Sequence, residues 1–274
     1  MYTFGSSFRQ EVASYVERCR LEDGGYFFAR VLPSSGMDTY YAVKSLSLLG
    51  LKPSRPEEAA NYFLSQISDS SLTGINGLFC AAEVLYELGM VTEEFKAYTE
   101  HHLQSLRNDI GGFGAYENID VEVPSELRDT YRAVRTSEII GADLDRKGLK
   151  RFVSHFLNAD GGYGSQGHST LASTYFASAI FKIFRLKIPG LTATKEYLRK
   201  RERNWQVQFI EDLYWLNEGL ANLGEKPVYT DRVSRFVMEC QRSNGGFSRA
   251  TIMGIPTLEY TFYGLSILKQ VDAI

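Results

Sequence analysis

The chain has 274 residues, 44% of them hydrophobic and 23% charged, with a formal net charge of −3. This balance supplies ample core and excludes a nucleic-acid-binding surface, which needs a clustered excess of Lys and Arg. No stretch approaches the roughly 18 consecutive apolar residues of a membrane span. The longest apolar run, Leu171 to Phe184, is broken by Ser173, Thr174, Ser178 and Lys182.

The first residues, MYTFGSSFRQEV, lack the charged segment and apolar run of a signal peptide. The cysteines Cys19, Cys80 and Cys240 are odd in number and far apart, so a disulfide framework is not expected. Together these features predict a cytoplasmic protein. An amphipathic helix is predicted over 8–20, where charged and apolar residues interleave at helical spacing. A glycine pair follows in DGGYFF (23–28), and then a more apolar helix over 38–50. There Tyr40, Val43 and Leu46 recur at three-residue spacing and no proline intervenes.

The same order recurs along the chain. A wet-faced helix is predicted at 56–67 and an apolar one at 77–89, without a glycine pair between them. IGGFGA (110–115) leads through an irregular loop at 113–127 to an apolar helix at 128–141. A wet-faced helix at 149–157, DGGYGS at 160–165 and an apolar helix at 173–184 follow. An apolar helix at 212–224, a wet-faced one at 231–241, NGGFSR at 244–249 and an apolar helix at 260–268 complete the pattern.

Aligned on one another, the six apolar segments place Tyr40, Phe79, Tyr131, Tyr175, Tyr214 and Phe262 at one position. Two residues later stand Ala42, Ala81, Ala133, Ala177, Leu216 and Gly264. The copies lie about 44 residues apart, one helical hairpin per repeat. Gly50, Gly89, Gly141 and Gly224 follow four of these helices as C′ residues. Asp38, Asp129, Ser173 and Asp212 are expected as N-caps.

An open stack of hairpins needs polar terminal caps. The first and last apolar helices here are as apolar as the middle ones. The expectation is therefore an all-α, closed α6–α6 toroid of six hairpins, one domain over 1–274, with the apolar helices inside and an aromatic belt facing the centre. The bland alternative for each belt aromatic is ordinary packing between inner helices.

Glycine-pair turns followed by a Thr-Tyr-small-small helix make the chain resemble the prenyltransferase and squalene-cyclase repeat family, over nearly its whole length. The resemblance is closest to protein prenyltransferase β subunits. It implies a single toroid that takes a farnesyl or geranylgeranyl diphosphate and joins it to a cysteine thiolate held on zinc. It also implies a helical-repeat partner subunit. A shared repeat specifies the fold rather than the reaction, so the reaction rests on which of the family's site residues this chain retains.

The family's zinc donors, Asp-x-Cys and a His, fall on Glu211, Leu213 and Tyr260. A shift of one in the first pair gives Asp212 and Tyr214 instead. Neither register supplies a thiolate or an imidazole, so zinc is expected to be absent. The rest of the site matches better. Arg128 and Tyr131 fall on the arginine and tyrosine beside the isoprenoid, Tyr214 on the diphosphate tyrosine, and His168 loosely on a diphosphate histidine.

Tyr40, Tyr175, Asp212 and Tyr260 join them as candidate binding residues, and magnesium is compatible with a bound diphosphate. Trp205, Trp215 and Tyr263 are further candidates for the aromatic lining. His101, His102 and His155 are expected at the surface. The run Arg199 to Arg203 is expected as a solvated face rather than a phosphate site.

The function expected is that of a prenyltransferase-like protein binding an isoprenoid or another apolar small molecule without zinc-thiolate chemistry. One alternative is a non-catalytic lipid- or peptide-binding toroid. The other is a class II terpene cyclase, for which the closest acid string is Asp143-Leu144-Asp145-Arg146.

Overall fold

A computed structural model describes residues 5–109, 111–114 and 125–274. Among these the chain folds as twelve α-helices with no extended strands. The six inner helices are α2 (Gly36–Leu48), α4 (Ile75–Leu88), α6 (Ser125–Ile140), α8 (Leu171–Ile183), α10 (Ile210–Asn222) and α12 (Leu258–Gln270). The six outer helices are α1 (Ser6–Glu17), α3 (Pro56–Ser68), α5 (Glu93–Ser105), α7 (Arg146–Ser154), α9 (Leu191–Arg203) and α11 (Thr230–Glu239). The loop expected at 113–127 lies mostly outside the described residues.

The chain divides into two compact units. The first holds residues 1–95, 208–214 and 227–274, and the second holds 96–207 and 215–226. In the first unit α2 packs against both α4 and α12, while α1, α3 and α11 pack on α2, α4 and α12 respectively. The last inner helix therefore lies on the first. The glycine turns make the same joint. Gly245 has φ +91°, and a Cβ there would lie 2.4 Å from the Glu11 carbonyl oxygen of α1. Only glycine both reaches this conformation and allows such backbone approach.

Arg18 donates to the Asn244 carbonyl at 2.8 Å across that joint. Because the end of the chain buries the face at its start, the polar terminal repeats of an open stack are unnecessary. In the second unit α6 packs against α8. There a Cβ on Gly161 would lie 2.4 Å from the Ala193 carbonyl, the equivalent joint with α9.

A recurring latch explains the repeat signature. The backbone N–H after each glycine pair donates to a threonine hydroxyl on the following inner helix. The pairs are Tyr26 to Thr39 (2.9 Å), Phe113 to Thr130 (3.0 Å), Tyr163 to Thr174 (3.0 Å) and Phe247 to Thr261 (3.1 Å). The hydroxyls of Thr39, Thr174 and Thr261 donate in turn to the carbonyl four residues back. All four latched aromatics are fully or almost fully buried, where an unpaired N–H would be costly. In the two repeats without a glycine pair, buried Leu78 and Leu213 stand in the threonine's place.

The expected N-caps are corrected. Ser35 caps α2 and receives the Asp38 N–H, Thr170 caps α8 and receives the Ser173 N–H, and Thr257 caps α12 and receives the Tyr260 N–H. Asp38 and Ser173 therefore sit inside the first turn, and these helices begin two residues earlier than expected. Asp129 likewise lies within α6. Asp212 reaches back from the first turn of α10 to accept the N–H groups of Gln208 (3.1 Å) and Phe209 (3.0 Å). In α2, α8 and α12 the cap hydroxyl thus satisfies one otherwise unpaired amide of the first turn. Gly50, Gly89, Gly141 and Gly224 all have positive φ, as expected after a helix.

Candidate functional site

In the first unit the belt is continuous. Tyr40 lies 5.1 Å from Phe79 and 5.8 Å from Phe262, centroid to centroid, and Phe262 lies 5.7 Å from Tyr214. These four residues come from four different inner helices, and each is at least nine-tenths buried. Ring separations of this size place the aromatics in direct contact. Two positions on, three of these four helices carry small residues, Ala42, Ala81 and Gly264. Ala42 and Ala81 are fully buried, and a Cβ on Gly264 would meet the Phe247 ring at 2.9 Å.

A second ring of residues, not picked out by the repeat alignment, borders this belt. Tyr263 stacks on Tyr214 at 4.4 Å and 25°. Its hydroxyl donates to Glu259 Oε1 at 2.9 Å, and the Tyr41 hydroxyl donates to the same oxygen at 3.0 Å. Burial, with Tyr41 and Glu259 beside it, holds the Tyr263 phenol well above its usual range and therefore protonated. Asp38 is pushed up to about 6, first by burial and then by the charge of Glu259, against a hydrogen bond from the Phe28 backbone. The first unit thus sets Asp38, with its raised pKa, and Glu259, which accepts two phenol hydrogen bonds, beside an aromatic wall.

Tyr260 and Asp212 lie in the same unit beside Glu211. Glu211 is buried and receives Arg249 Nε at 2.5 Å, and the Arg249 guanidinium lies 3.9 Å over the Phe209 ring. Burial raises the Glu211 pKa against the pull of Arg249. Burial also raises that of Tyr260, with Glu211 and Glu259 adding to the effect.

These positions do not fit a zinc ion. Of Glu211, Leu213 and Tyr260, only Glu211 is a usual zinc donor, and its Oε1 is already held by Arg249. Among the described residues no three His, Cys, Asp or Glu side chains gather as a metal set.

The second unit carries the remaining candidates. Tyr175 and Tyr131 lie 5.6 Å apart and share a 3.2 Å hydroxyl hydrogen bond, with Phe176 5.5 Å from Tyr131. They border an open cleft of about 380 Å³ that also takes in Arg135, Lys182, Glu218 and Asn222. Burial pushes Glu218 up to about 7, against the charge of Lys182.

Arg128 forms an ion pair with Asp129 (3.4 Å), which Arg132 also approaches at 3.8 Å. His168 is exposed in a tight turn before α8, where its N–H donates to the Ser165 carbonyl at 2.9 Å. Trp205 follows the end of α9 and has φ +48°. His101 and His155 are exposed, whereas His102 stacks half-buried on Tyr98 at 4.2 Å.

Two sequence strings take structural roles. Arg199 pairs with Glu202 and Glu225 at 2.7 Å each, Arg201 lies over Tyr197, and Arg203 pairs with Glu196. The run is thus a set of ion pairs and ring contacts along α9. Asp145, from the acid-like string, caps α7 through the Gly148 N–H and pairs with Arg107 at 3.3 Å.

Residues 202–273 match the family model of the prenyltransferase alpha-alpha toroid domain. No curated protein matches the chain. Among solved structures, Candida albicans protein geranylgeranyltransferase-I complexed with GGPP is similar with a TM-score of 0.72. It is 16% identical over 96% of this chain and 90% of that one.

The type II terpene cyclase MstE from Scytonema is similar with a TM-score of 0.65, at 13% identity over 98% of this chain and 99% of that one. A variant of that cyclase, in complex with geranylgeranyl dihydroxybenzoate, has a TM-score of 0.64 at 12% identity. No helix among the described residues is long and apolar enough to cross a membrane. The chain has the α/α-toroid fold seen in these solved structures, and its residues 202–273 match the prenyltransferase alpha-alpha toroid domain model.

Proposed function

We propose that the protein binds an isoprenoid, as a diphosphate or a conjugate, and acts as a prenyltransferase-like protein without zinc-thiolate chemistry. The observation that carries this reading is the contiguous wall of Tyr40, Phe79, Phe262 and Tyr214, drawn from four inner helices of the first unit. Aromatic faces bury prenyl methylenes at about 0.8 kcal/mol each. They also stabilise the positive charge that develops as an allylic diphosphate ionises. The structural relatives support the reading, since one is complexed with GGPP and another with a geranylgeranyl conjugate.

In the second unit Tyr131 and Tyr175 offer a further aromatic pair, while Arg128 and His168 are the candidates for contacts with a diphosphate. Magnesium is compatible with that diphosphate. A helical-repeat partner and a cytoplasmic setting belong to the same reading, the latter supported by three free, buried cysteines.

Calorimetric titration with farnesyl and geranylgeranyl diphosphate tests the proposal. Saturable binding, weakened by Tyr40→Ala in a variant that remains folded, is expected. Absence of binding to either compound overturns it. A second reading, a non-catalytic lipid carrier, is favoured by Leu213 and Tyr260 standing in place of metal donors. Binding without release of inorganic pyrophosphate in the presence of candidate acceptors would select it.

A further inference from the structure

Arg249 stands in the loop before α12, paired with Glu211 at the start of α10. We propose that Arg249 is an oxyanion receptor, oriented by Glu211 and Phe209, whose two Nη groups bind the anionic head of an amphipathic ligand. The inference rests on the geometry around the guanidinium and deepens the isoprenoid reading. Nε is committed to Glu211 Oε1 at 2.5 Å. Neither Nη group donates a hydrogen bond to any described residue, and the side chain is 49% exposed although Glu211 is only 9% exposed.

The plane of the guanidinium is held by the Phe209 ring, 3.9 Å from its central carbon. Glu211 Oε2 is buried and receives no hydrogen bond from a described residue, so the pairing with Arg249 carries the compensation of that charge. A guanidinium with one edge anchored and the other presented is suited to two parallel hydrogen bonds with a carboxylate or a phosphoryl group.

The backbone around Arg249 is held as well as its side chain. Its carbonyl accepts the Ile210 N–H at 2.9 Å, which joins the loop to the start of α10. Arg242 donates to the carbonyls of Ala250 (2.8 Å) and Thr251 (3.1 Å), and the Ser248 hydroxyl donates to the Ala250 carbonyl at 3.0 Å. Little ordering therefore remains to be done when an anion arrives. The same loop exposes Ile252, Met253 and Ile255, at 94%, 70% and 64%. Apolar surface beside a presented guanidinium fits a ligand with an oxyanion head on an apolar body.

Two sources share this chemistry: the diphosphate of a prenyl donor, and the carboxylate of an acceptor. Titrating the full chain with inorganic pyrophosphate and, separately, with benzoate distinguishes them. At least one probe is expected to bind. Its affinity should fall at least tenfold in the double variant Arg249→Gln, Glu211→Gln, which leaves no unpaired buried charge. Arg249→Lys, which keeps the charge but loses the fork, should fall in between.

Binding of pyrophosphate alone assigns the site to the donor, and binding of benzoate alone assigns it to the acceptor. Binding of both defines a general oxyanion site. The proposal is overturned if neither probe binds, or if the double variant, folded by circular dichroism, binds as well as the parent. Geranylgeraniol, which has no anionic head, reports on the prenyl wall separately. Its failure to bind beside a retained anion response would sink the isoprenoid reading and leave Arg249 standing.

Discussion

Thr174 accepts the backbone N–H of Tyr163 at 3.0 Å and passes its own proton to the Thr170 carbonyl at 2.7 Å. One hydroxyl thus ties a glycine turn to the inner helix that follows it. Thr174→Val keeps the shape but leaves the Tyr163 N–H unpaired in a fully buried place. An unpaired buried donor costs about 1–3 kcal/mol. Urea unfolding of the variant should show a loss of that size at unchanged m-value, and a loss within error would show the latch to be dispensable.

The stacked pair Tyr214 and Tyr263 separates packing from hydrogen bonding. Tyr214→Ala removes a ring that contacts both Phe262 and Tyr263. It should cost about 3–5 kcal/mol, as for other buried aromatics, and should weaken prenyl binding. Tyr263→Phe keeps the stack and removes only one of the two phenols that donate to Glu259. About 1 kcal/mol is expected there, with prenyl affinity little changed. Equal effects of the two variants in thermal melts would contradict this division.

Asp38 makes stability depend on pH in a defined window. Its carboxyl titrates near 3.8 when unfolded and near 6 when folded. Below the lower value both states are protonated and nothing is lost. As pH rises from about 4 to 6 the unfolded state ionises first, so stability falls, and above about 6 the loss is complete. A shift of about 2 units corresponds to about 3 kcal/mol as an upper figure. Asp38→Asn should therefore stabilise the protein at pH 7.5 and leave it unchanged near pH 3.5. A gain that does not vary with pH would rule out this origin.

Gly246 lies under an aromatic ring of the first outer helix. A Cβ there would approach the Tyr15 ring to within 2.6–2.7 Å. Gly246→Ala should cost at least the 1–3 kcal/mol typical of overpacking. Adding Tyr15→Leu should recover part of that cost, because the clash has gone. A double-mutant cycle with no coupling between the two sites would refute the contact as its cause.

The repeat positions were legible because they are local. Tyr40 and its five counterparts recur with the helix, and the glycines at 50, 89, 141 and 224 follow four of the six apolar runs. The caps of α2 and α8 were misplaced by three residues because Ser35 and Thr170 precede the residues that seemed to begin these helices. Nothing in the spacing shows which hydroxyl faces an amide.

The pairs that give the first unit its chemistry were not legible. Tyr41 meets Glu259 across 218 residues and Arg249 meets Glu211 across 38. Both pairs depend on which elements pack together. Glu218 sits within an apolar helix, where the sequence shows a charge but not the burial that raises its pKa to about 7.

The threonine latch also makes four amide protons, those of Tyr26, Phe113, Tyr163 and Phe247, into reporters of separate repeats. Each can exchange with solvent only when its own turn lifts from its own inner helix. Leu78 and Leu213 mark two inner helices with no such tether. Those helices can loosen without any of the four protons being released. Site-resolved exchange can therefore record the order in which the repeats let go.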